Sequence, residues 1–490
     1  METPRSAKRT VPKRAEAPPL ETGPVTISPD GNVVLAIEHL RPNDSLTSAA
    51  KVAGNLHSPG LPQDQTSSGQ SDKACLYRVE SSRLNEASPY FARLLDPDKF
   101  GEGSAVAEKH KSLKATYESW DAVPFEELPQ IKIEDVGRIS AVKTVRNLMA
   151  DFLTILHGGE LNRTAIPPLA NVANLVVVAD RFDALPTVRF YFRNHKLMAA
   201  LDSKVEKGKT MSEERVRQKL LVGLLLDNAS WVWANSARLV MRGWVGREPV
   251  ENAALWWDLP GSIEDELLFR RDCILETIQS LQSYFLSLYT SGERQCKLGY
   301  DSSPQCDVYQ LGQMIRFFKR INTVALSGTI ISTTDPPEPY DGEILHLIES
   351  LRQCPGYQID KNHHHCGLRD RLRPLLDFLE VALQDVGLCL QCWQNCRQEY
   401  AWTRVKRPLI WKYGSAGAGM YQYYKERQAQ SHLFKHLDTR DLFMAVDRLW
   451  TTGDATRPGL LSGLDRSFLP FCELYADIDF ILSLNARMFY

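Results

Sequence analysis

The sequence predicts an α+β protein in which a small sheet in the first third is followed by a large all-α region. Before residue 135, short segments are rich in β-branched residues or alternate apolar with charged residues, as strands do. From residue 144 onward, apolar residues recur every three or four positions, which is the period of a helix with one buried face. The chain of 490 residues is long enough for two or three domains.

Composition narrows the class of protein. Hydrophobic residues make up 43% and charged residues 24% of the chain, as in globular proteins. The formal net charge of -2 argues against nucleic acid as a partner of the whole chain, because a basic surface would have to be local. The ten cysteines lack the close spacing of a small disulfide-rich domain, which favours reduced thiols and an intracellular location in the nucleus or the cytoplasm.

Neither a secretory signal nor a membrane span is expected. The first 24 residues contain no apolar core of the length that a signal peptide requires. The longest apolar runs fall far short of the roughly 18–20 residues of a membrane-spanning helix. Residues 1–28 are rich in proline, lysine and arginine, and we expect them to form a disordered basic tail.

Three strands and one helix are predicted in the first third of the chain. Residues 31–39 and 74–80 are rich in β-branched and apolar residues, and Ile131 and Ile133 alternate with charges as in a strand with one wet face. Residues 81–96 have the apolar spacing of a helix.

Two polar stretches interrupt this first third. Residues 40–72 are rich in serine, glycine, proline and glutamine, and residues 97–128 are also polar. Because neither stretch has a clear apolar period, we expect both to be flexible insertions.

Helices dominate the remainder. The segments 144–160 and 167–185 each carry an apolar stripe, and Gly158–Gly159 is expected to end the first of them. Within a helical C-terminal region spanning 205–490, further helices are predicted. They cover 262–290, 306–321, 342–353 and 368–396, the last with a bend at Pro374.

The order of these elements and four sequence segments resemble the BTB/POZ domain in its fungal form. The segments are DGNVVLAI (30–37), YRVESSRLNEASPYFARLL (77–95), DFLTILHGGEL (151–161) and LVVVADRFDAL (175–185). The second segment is the most specific, because it carries a set of residues at the spacing of the family's strand–helix corner. These are Val79, Ser81, Leu84, Ser88, Pro89, Tyr90 and Phe91. The resemblance covers about residues 29–200.

This resemblance implies a short sheet beside a helical cluster, used for dimerisation or for binding as an adaptor. The expected partners are proteins: a second copy of the chain, another protein, or a cullin-type ubiquitin ligase as in some family members. Such roles depend on burying an apolar patch against the partner. The candidate interface residues lie in the first strand and the first helical segment: Val33, Val34, Leu84, Tyr90, Phe91 and Leu94.

Two cysteine-bearing loops of the helical region are candidates for a metal site. One is CKLGYDSSPQC (296–306), and the other is CPGYQIDKNHHHCGLRDRL (354–372). If the helices at 307–320 and 342–353 run antiparallel, the two loops meet. Six side chains would then be available to a tetrahedral zinc ion: Cys296, Cys306, Cys354, His363, His365 and Cys366. The alternative is a solvated histidine-rich loop beside unrelated buried thiols, so we expect either a structural zinc or no cofactor.

A second group of cysteines has the spacing of one helix face. Cys389, Cys392 and Cys396 are three and four residues apart, so a continuous helix would direct them to the same side. Buried cysteine behaves as a small apolar residue, and core packing is the favoured interpretation, with metal binding or redox chemistry as the alternative.

On the strength of the BTB/POZ resemblance, the protein is predicted to be a non-enzymatic interaction protein, and no catalytic motif names a nucleophile or a base. Nucleophile-elbow, zinc-protease and dinucleotide-binding patterns are all missing from the sequence. One alternative is a nuclear regulator that contacts DNA through the basic segments at 8–14 and 404–427. In the second of these segments, aromatic and basic residues interleave. The other alternative is a metal-dependent enzyme in the helical region.

Overall fold

The structure is a computed structural model, and it describes most but not all of the chain. The described residues are 23–38, 74–140, 145–161, 166–203, 211–248, 253–296, 298–324, 340–363, 366–406 and 432–446. They are mostly helical and contain one small sheet, in agreement with the predicted α+β class. Among them, no helix is both long and apolar enough to cross a lipid bilayer.

Residue contacts divide the chain into two compact units. The first takes the described residues within Met1–Val136, Lys143–Leu161 and Phe182–Ala184, and the second takes those within Gly137–Val142, Asn162–Arg181 and Leu185–Tyr490. The helix at Leu169–Arg181, which the sequence groups with the sheet, therefore lies in the second unit.

The first unit contains a four-stranded sheet. Its strands are β1 (Val25–Thr26), β2 (Val33–Ile37), β3 (Cys75–Val79) and β4 (Gln130–Ile133), in the order β1-β3-β2-β4. β2 pairs antiparallel with β3 and parallel with β4, and β1 pairs parallel with β3. All of β2 is buried, as expected of an apolar central strand, whereas β4 alternates exposed and buried residues as predicted.

The expectation of a disordered tail over 1–28 is wrong for its last residues, because Val25–Thr26 form β1. The rest of that tail, residues 1–22, lies outside the described residues, as does the predicted insertion at 40–72.

Helices α1 (Ser81–Ala87) and α2 (Pro89–Leu94) replace the single helix predicted over 81–96. Ser88 is extended, as a residue before proline prefers, and its Oγ accepts a hydrogen bond from Phe91 N at 3.2 Å. The same hydroxyl donates to the carbonyl oxygen of Phe182 at 2.6 Å. The break therefore directs Phe91 into the core, where its ring stacks on Phe182 with centroids 5.3 Å apart.

The stretch 97–128 is not a flexible insertion. It contains helix α3 (Gly101–Thr116), which buries Val106 and Leu113. Leu113 packs in one cluster with Val34, Val123 and Leu128. The few apolar residues of this polar helix are thus enough to hold it in the core. Helix α4 (Val145–Leu156) completes the unit, and it ends before Gly158 as predicted, with that glycine at φ +72°.

The second unit consists of helices. They are α5 (Leu169–Arg181), α6 (Leu185–Asn194), α7 (Leu197–Ser203), α8 (Glu213–Leu225), α9 (Ala229–Arg242), α10 (Ile263–Thr290), α11 (Ser303–Arg320), α12 (Ile344–Arg352), α13 (Leu368–Leu383), α14 (Leu390–Asn395), α15 (Arg397–Tyr400) and α16 (His432–Met444). The helix predicted over 368–396 is thus two helices, α13 and α14, and Pro374 lies inside the first of them.

A buried ion pair anchors the loop segments around α14. Arg270 and Glu266, one turn apart on α10, are both almost fully buried, and Arg270 Nε donates to Glu266 Oε1 at 2.9 Å. Arg270 also donates to the carbonyl oxygens of Val386 and Gly387, at 3.0 and 2.9 Å. Glu266 accepts from the backbone N of Trp402 at 2.9 Å. Because a buried charge is stable only when paired and hydrogen-bonded, this network ties α10 to the chain on both sides of α14.

Candidate metal centres

The structure brings the two cysteine-bearing loops of the helical unit into contact. Cys296 lies after α10, Cys306 in the first turn of α11, and His363 and Cys366 just before α13. All four side chains are buried. We call this set of four the first Cys/His group.

Three side chains of the first Cys/His group lie at the mutual distances of ligands around one small ion. Cys296, Cys306 and His363 each offer a ligand atom within 4.8 Å of the other two. Cys366 adjoins them, with its Sγ 3.7 Å from Cys296 Sγ. Two thiolates bound to one tetrahedral zinc at about 2.3 Å lie about 3.8 Å apart, so this separation fits a shared ion and excludes a disulfide bond.

Carboxylates hold two of these ligands in place. Asp307 accepts the backbone N–H groups of Gln295 and Cys296 at 2.8 and 2.9 Å, which fixes the chain where it enters the group. Asp360 Oδ1 lies 2.9 Å from Nδ1 of His363, and Nε2 of that ring is buried with no hydrogen-bond partner. A carboxylate on one ring nitrogen with the other left for a metal is the usual arrangement of a histidine ligand.

The thiols of the first group differ in acidity. Burial raises the pKa of Cys306 to about 11, and burial also raises the pKa of Cys366. The pKa of Cys296 is lowered: burial opposes this, but Ser303 Oγ, 3.3 Å from its sulfur, and the backbone N–H of Leu298 stabilise the thiolate. Binding of a cation by these thiols would release their protons.

Of the two remaining predicted metal ligands, Cys354 is not part of this arrangement and His365 cannot be placed in or out of it. Cys354 is buried, but its Sγ contacts the carbonyl oxygen of Pro355 at 3.7 Å and is not in the clustered set. It ends the turn after α12, where it fills the core as an apolar residue. His365 lies outside the described residues.

A second group of possible ligands lies around α14 and α16. It consists of Cys389, Cys392, His432 and His436, whose ligand atoms all lie within 4.8 Å of one another. We call these four side chains the second Cys/His group. Three of them are buried, and His432 is exposed.

The sequence interpretation of the second group as plain core is incomplete. Cys389 and Cys392 do share one side of the short helix α14, but the helix ends at Asn395, so Cys396 begins a new turn. The two histidines were missed altogether. The signal was present in the spacing, because Cys-x-x-Cys followed by His-x-x-x-His is a zinc-ligand pattern. The pattern was not recognised because a long stretch of sequence separates its cysteine half from its histidine half.

Most of the predicted interface residues face inward. Val33, Val34, Leu84 and Phe91 are each at most 2% exposed and pack in the core of the first unit. Tyr90 and Leu94 are half-buried. An interface role is therefore retained as a proposal only for Tyr90 and Leu94.

The basic segments behind the DNA alternative fall mainly outside the described residues. Residues 8–14 are not described, and only 404–406 of the segment 404–427 are. The Cys/His groups are thus the described sites that carry chemistry.

Comparison with known proteins adds no relative. The chain matches no family model, no curated protein and no solved structure.

Proposed function

We propose that this chain is a non-enzymatic interaction protein whose helical unit is held together by a structural zinc ion in the first Cys/His group. The observation that carries the zinc assignment is the convergence of three thiols and one carboxylate-oriented imidazole on a buried point. Thiolate and imidazole are the ligands that zinc prefers in structural sites.

The number of ligands supports a structural rather than a catalytic role. A catalytic zinc keeps one coordination position open for water or substrate. Cys296, Cys306 and His363, with Cys366 beside them, would supply the four ligands of a closed tetrahedral site, and all four are buried. Such an ion would join the chain after α10 to the turn before α13.

Metal analysis of the purified full-length chain tests this assignment. We expect Cys366→Ser to lose about one zinc ion per chain relative to the wild-type protein, because one tetrahedral site holds one ion. The matched control is Cys354→Ser, which removes a buried thiol outside the group and should leave the zinc content unchanged. Equal zinc content in Cys366→Ser and the wild-type protein would remove the proposal.

The interaction role rests on the first unit. A BTB/POZ-like domain is supported by its small sheet, by the corner at β3 and α1, and by the packing of the Phe182 ring, from the Ala-Asp-basic-aromatic-Asp run, on Phe91. Tyr90 and Leu94 on α2 are half-buried apolar side chains, and the ring of Tyr90 packs edge-on against Phe182. We propose that this face binds a second copy of the chain or a cullin-type scaffold.

Sedimentation of the full-length chain over a range of concentrations, alone and with a purified cullin scaffold, tests the interaction role. We expect association that Leu94→Asp weakens, because a charge in an apolar interface is desolvated without a partner. Asn85→Asp is the control, since it adds the same charge at an exposed position of α1. A chain that stays monomeric and does not bind the cullin scaffold would contradict this proposal.

A further inference from the structure

The second Cys/His group joins two segments that are distant in sequence. Cys389 and Cys392 lie at the start of α14, one helical turn apart. His432 and His436 lie one turn apart at the start of α16, with ring centroids separated by 4.6 Å. Residues four apart on a helix share a face, so both imidazoles are directed to the same side. The two pairs thus present four ligand atoms to one point.

Two of the distances among these atoms match a tetrahedral zinc ion, and Cys392 Sγ lies 3.8 Å from Nδ1, the other ring nitrogen of His432. His432 Nε2 lies 3.5 Å from Cys389 Sγ and 3.2 Å from His436 Nε2. Around one zinc with bonds of about 2.1 Å to nitrogen and 2.3 Å to sulfur, a sulfur–nitrogen pair is separated by about 3.6 Å and a nitrogen pair by about 3.4 Å. An N–H···N hydrogen bond between the rings accounts for the nitrogen pair alone, whereas a shared cation accounts for the two sulfurs as well.

We propose that Cys389, Cys392, His432 and His436 form a second zinc site. It is separate from the site in the first Cys/His group and does not depend on it. The charges of two thiolates and one divalent cation sum to zero, and the two imidazole ligands are neutral. Burial of three ligands is therefore not opposed by an uncompensated charge. Iron in mononuclear form or a cluster is the competing occupant of such a donor set.

The protein surrounds the second group with fixed contacts. The backbone N of Cys389 donates to Tyr400 Oη at 2.7 Å, which orients the start of α14. The ring of His436 packs against Tyr400 and Trp233, with centroids 5.6 and 5.1 Å away. Burial raises the pKa of Cys392 to about 12, so its thiol stays protonated until a cation replaces the proton.

A metal ion at this site would fix the start of α16 against the rest of the helical unit. The ligand pairs are separated by residues 393–431, and linking the ends of a long segment removes more conformational freedom than linking a short one. At its other end α16 is already held, because Thr277 on α10 donates to the carbonyl oxygen of Phe443 at 3.0 Å. Zinc would fix the end that carries His432.

Zinc counting on the full-length chain, purified without added metal, tests the proposal. The wild-type protein should carry about two zinc ions, and His432→Ala about one, since each tetrahedral site holds one ion. Because His432 is exposed, this variant should fold, with an unchanged circular dichroism spectrum. Cobalt replacement gives a second readout: the ion lost from His432→Ala should have the weaker sulfur-to-metal absorption of two thiolates rather than three.

Phe434→Ala is the matched control, because it removes an exposed ring from the same turn of α16 and should keep both ions. The double variant Cys389→Ser/Cys392→Ser should also lose one ion. Two retained ions in both ligand variants would overturn the proposal, and iron in place of zinc would overturn the choice of metal. If the wild-type protein holds a single ion that only Cys366→Ser removes, the second site fails while the first stands; if only His432→Ala removes it, the reverse holds.

Discussion

The two Cys/His groups use the same ligand chemistry in opposite settings. In the first group all four side chains are buried, and they come from the segment before α11, the first turn of α11 and the turn before α13. In the second group His432 is exposed, and its two helices are separated by a long stretch of chain. Three thiolates around zinc carry a net negative charge, whereas two thiolates leave none. The difference teaches that one helical unit can place the same types of ligand in a fully buried group and in a group that solvent reaches at one side chain.

The largest expected effect comes from opening the closed group. Cys306→Ser should lower the free energy of unfolding by on the order of 5 kcal/mol, because binding of structural zinc contributes about 10 kcal/mol or more to the folding of small zinc domains. Thermal unfolding of the full-length chain is the measurement. Cys354→Ser, which also removes a buried thiol, should cost far less; equal losses would mean that both cysteines are merely core residues.

The next effect distinguishes the two Cys/His groups, because the buried Glu266–Arg270 pair holds the chain next to the second group only. Glu266→Gln leaves Arg270 charged and buried without its partner, which should cost about 3–5 kcal/mol. Arg270 holds the carbonyl oxygens of Val386 and Gly387, shortly before Cys389, so zinc should be held less tightly in the second group only. Competition with a coloured chelator measures this. Loss of affinity at both groups would contradict the separation.

The same carboxylate predicts a pH dependence. Burial opposes ionisation of Glu266, but Arg270 and the N–H groups of Trp402 and Thr403 lower its pKa below the ordinary 4.5. A carboxyl whose pKa is lower in the folded than in the unfolded state stabilises the fold at higher pH, and this stabilisation is lost as the pH falls below about 4.5. The Glu266→Gln variant should therefore show a flatter acid limb when unfolding is followed by urea between pH 3 and pH 6.

The smallest effect concerns the contact between Asp360 and the ring of His363 in the first Cys/His group. Asp360→Ala removes the carboxylate from Nδ1 of His363, and it should weaken zinc binding there by about 10–100-fold without abolishing it. The chelator competition again reads this out, now at the first group. Asp301→Ala, an exposed position in the neighbouring loop, is the control and should leave affinity unchanged. An affinity equal to that of the wild-type protein would show that Asp360 does not orient the ligand.

Local patterns in the sequence were sufficient for much of the fold. β-branched and alternating segments predicted β2, β3 and β4, and the helical period predicted α10, α11 and α12 to within a few residues. The prediction failed where a small number of residues determine the local structure. Ser88–Pro89 splits a helix, and two apolar residues, Val106 and Leu113, hold the polar helix α3 in place. Burial of a single side chain depends on what faces it, which a local period does not record.

For the candidate sites, the sequence by itself determined the chemistry: which cysteines and histidines exist and which loops carry them. The sequence also indicated that the loops bearing Cys296 and Cys366 would meet if the two intervening helices were antiparallel. Only the tertiary structure decided that Cys354 turns into the core, and that His432 and His436 face Cys389 and Cys392. The physical reason is that ligand sets are defined by distances of a few ångströms, and those between remote segments arise from packing of the whole unit.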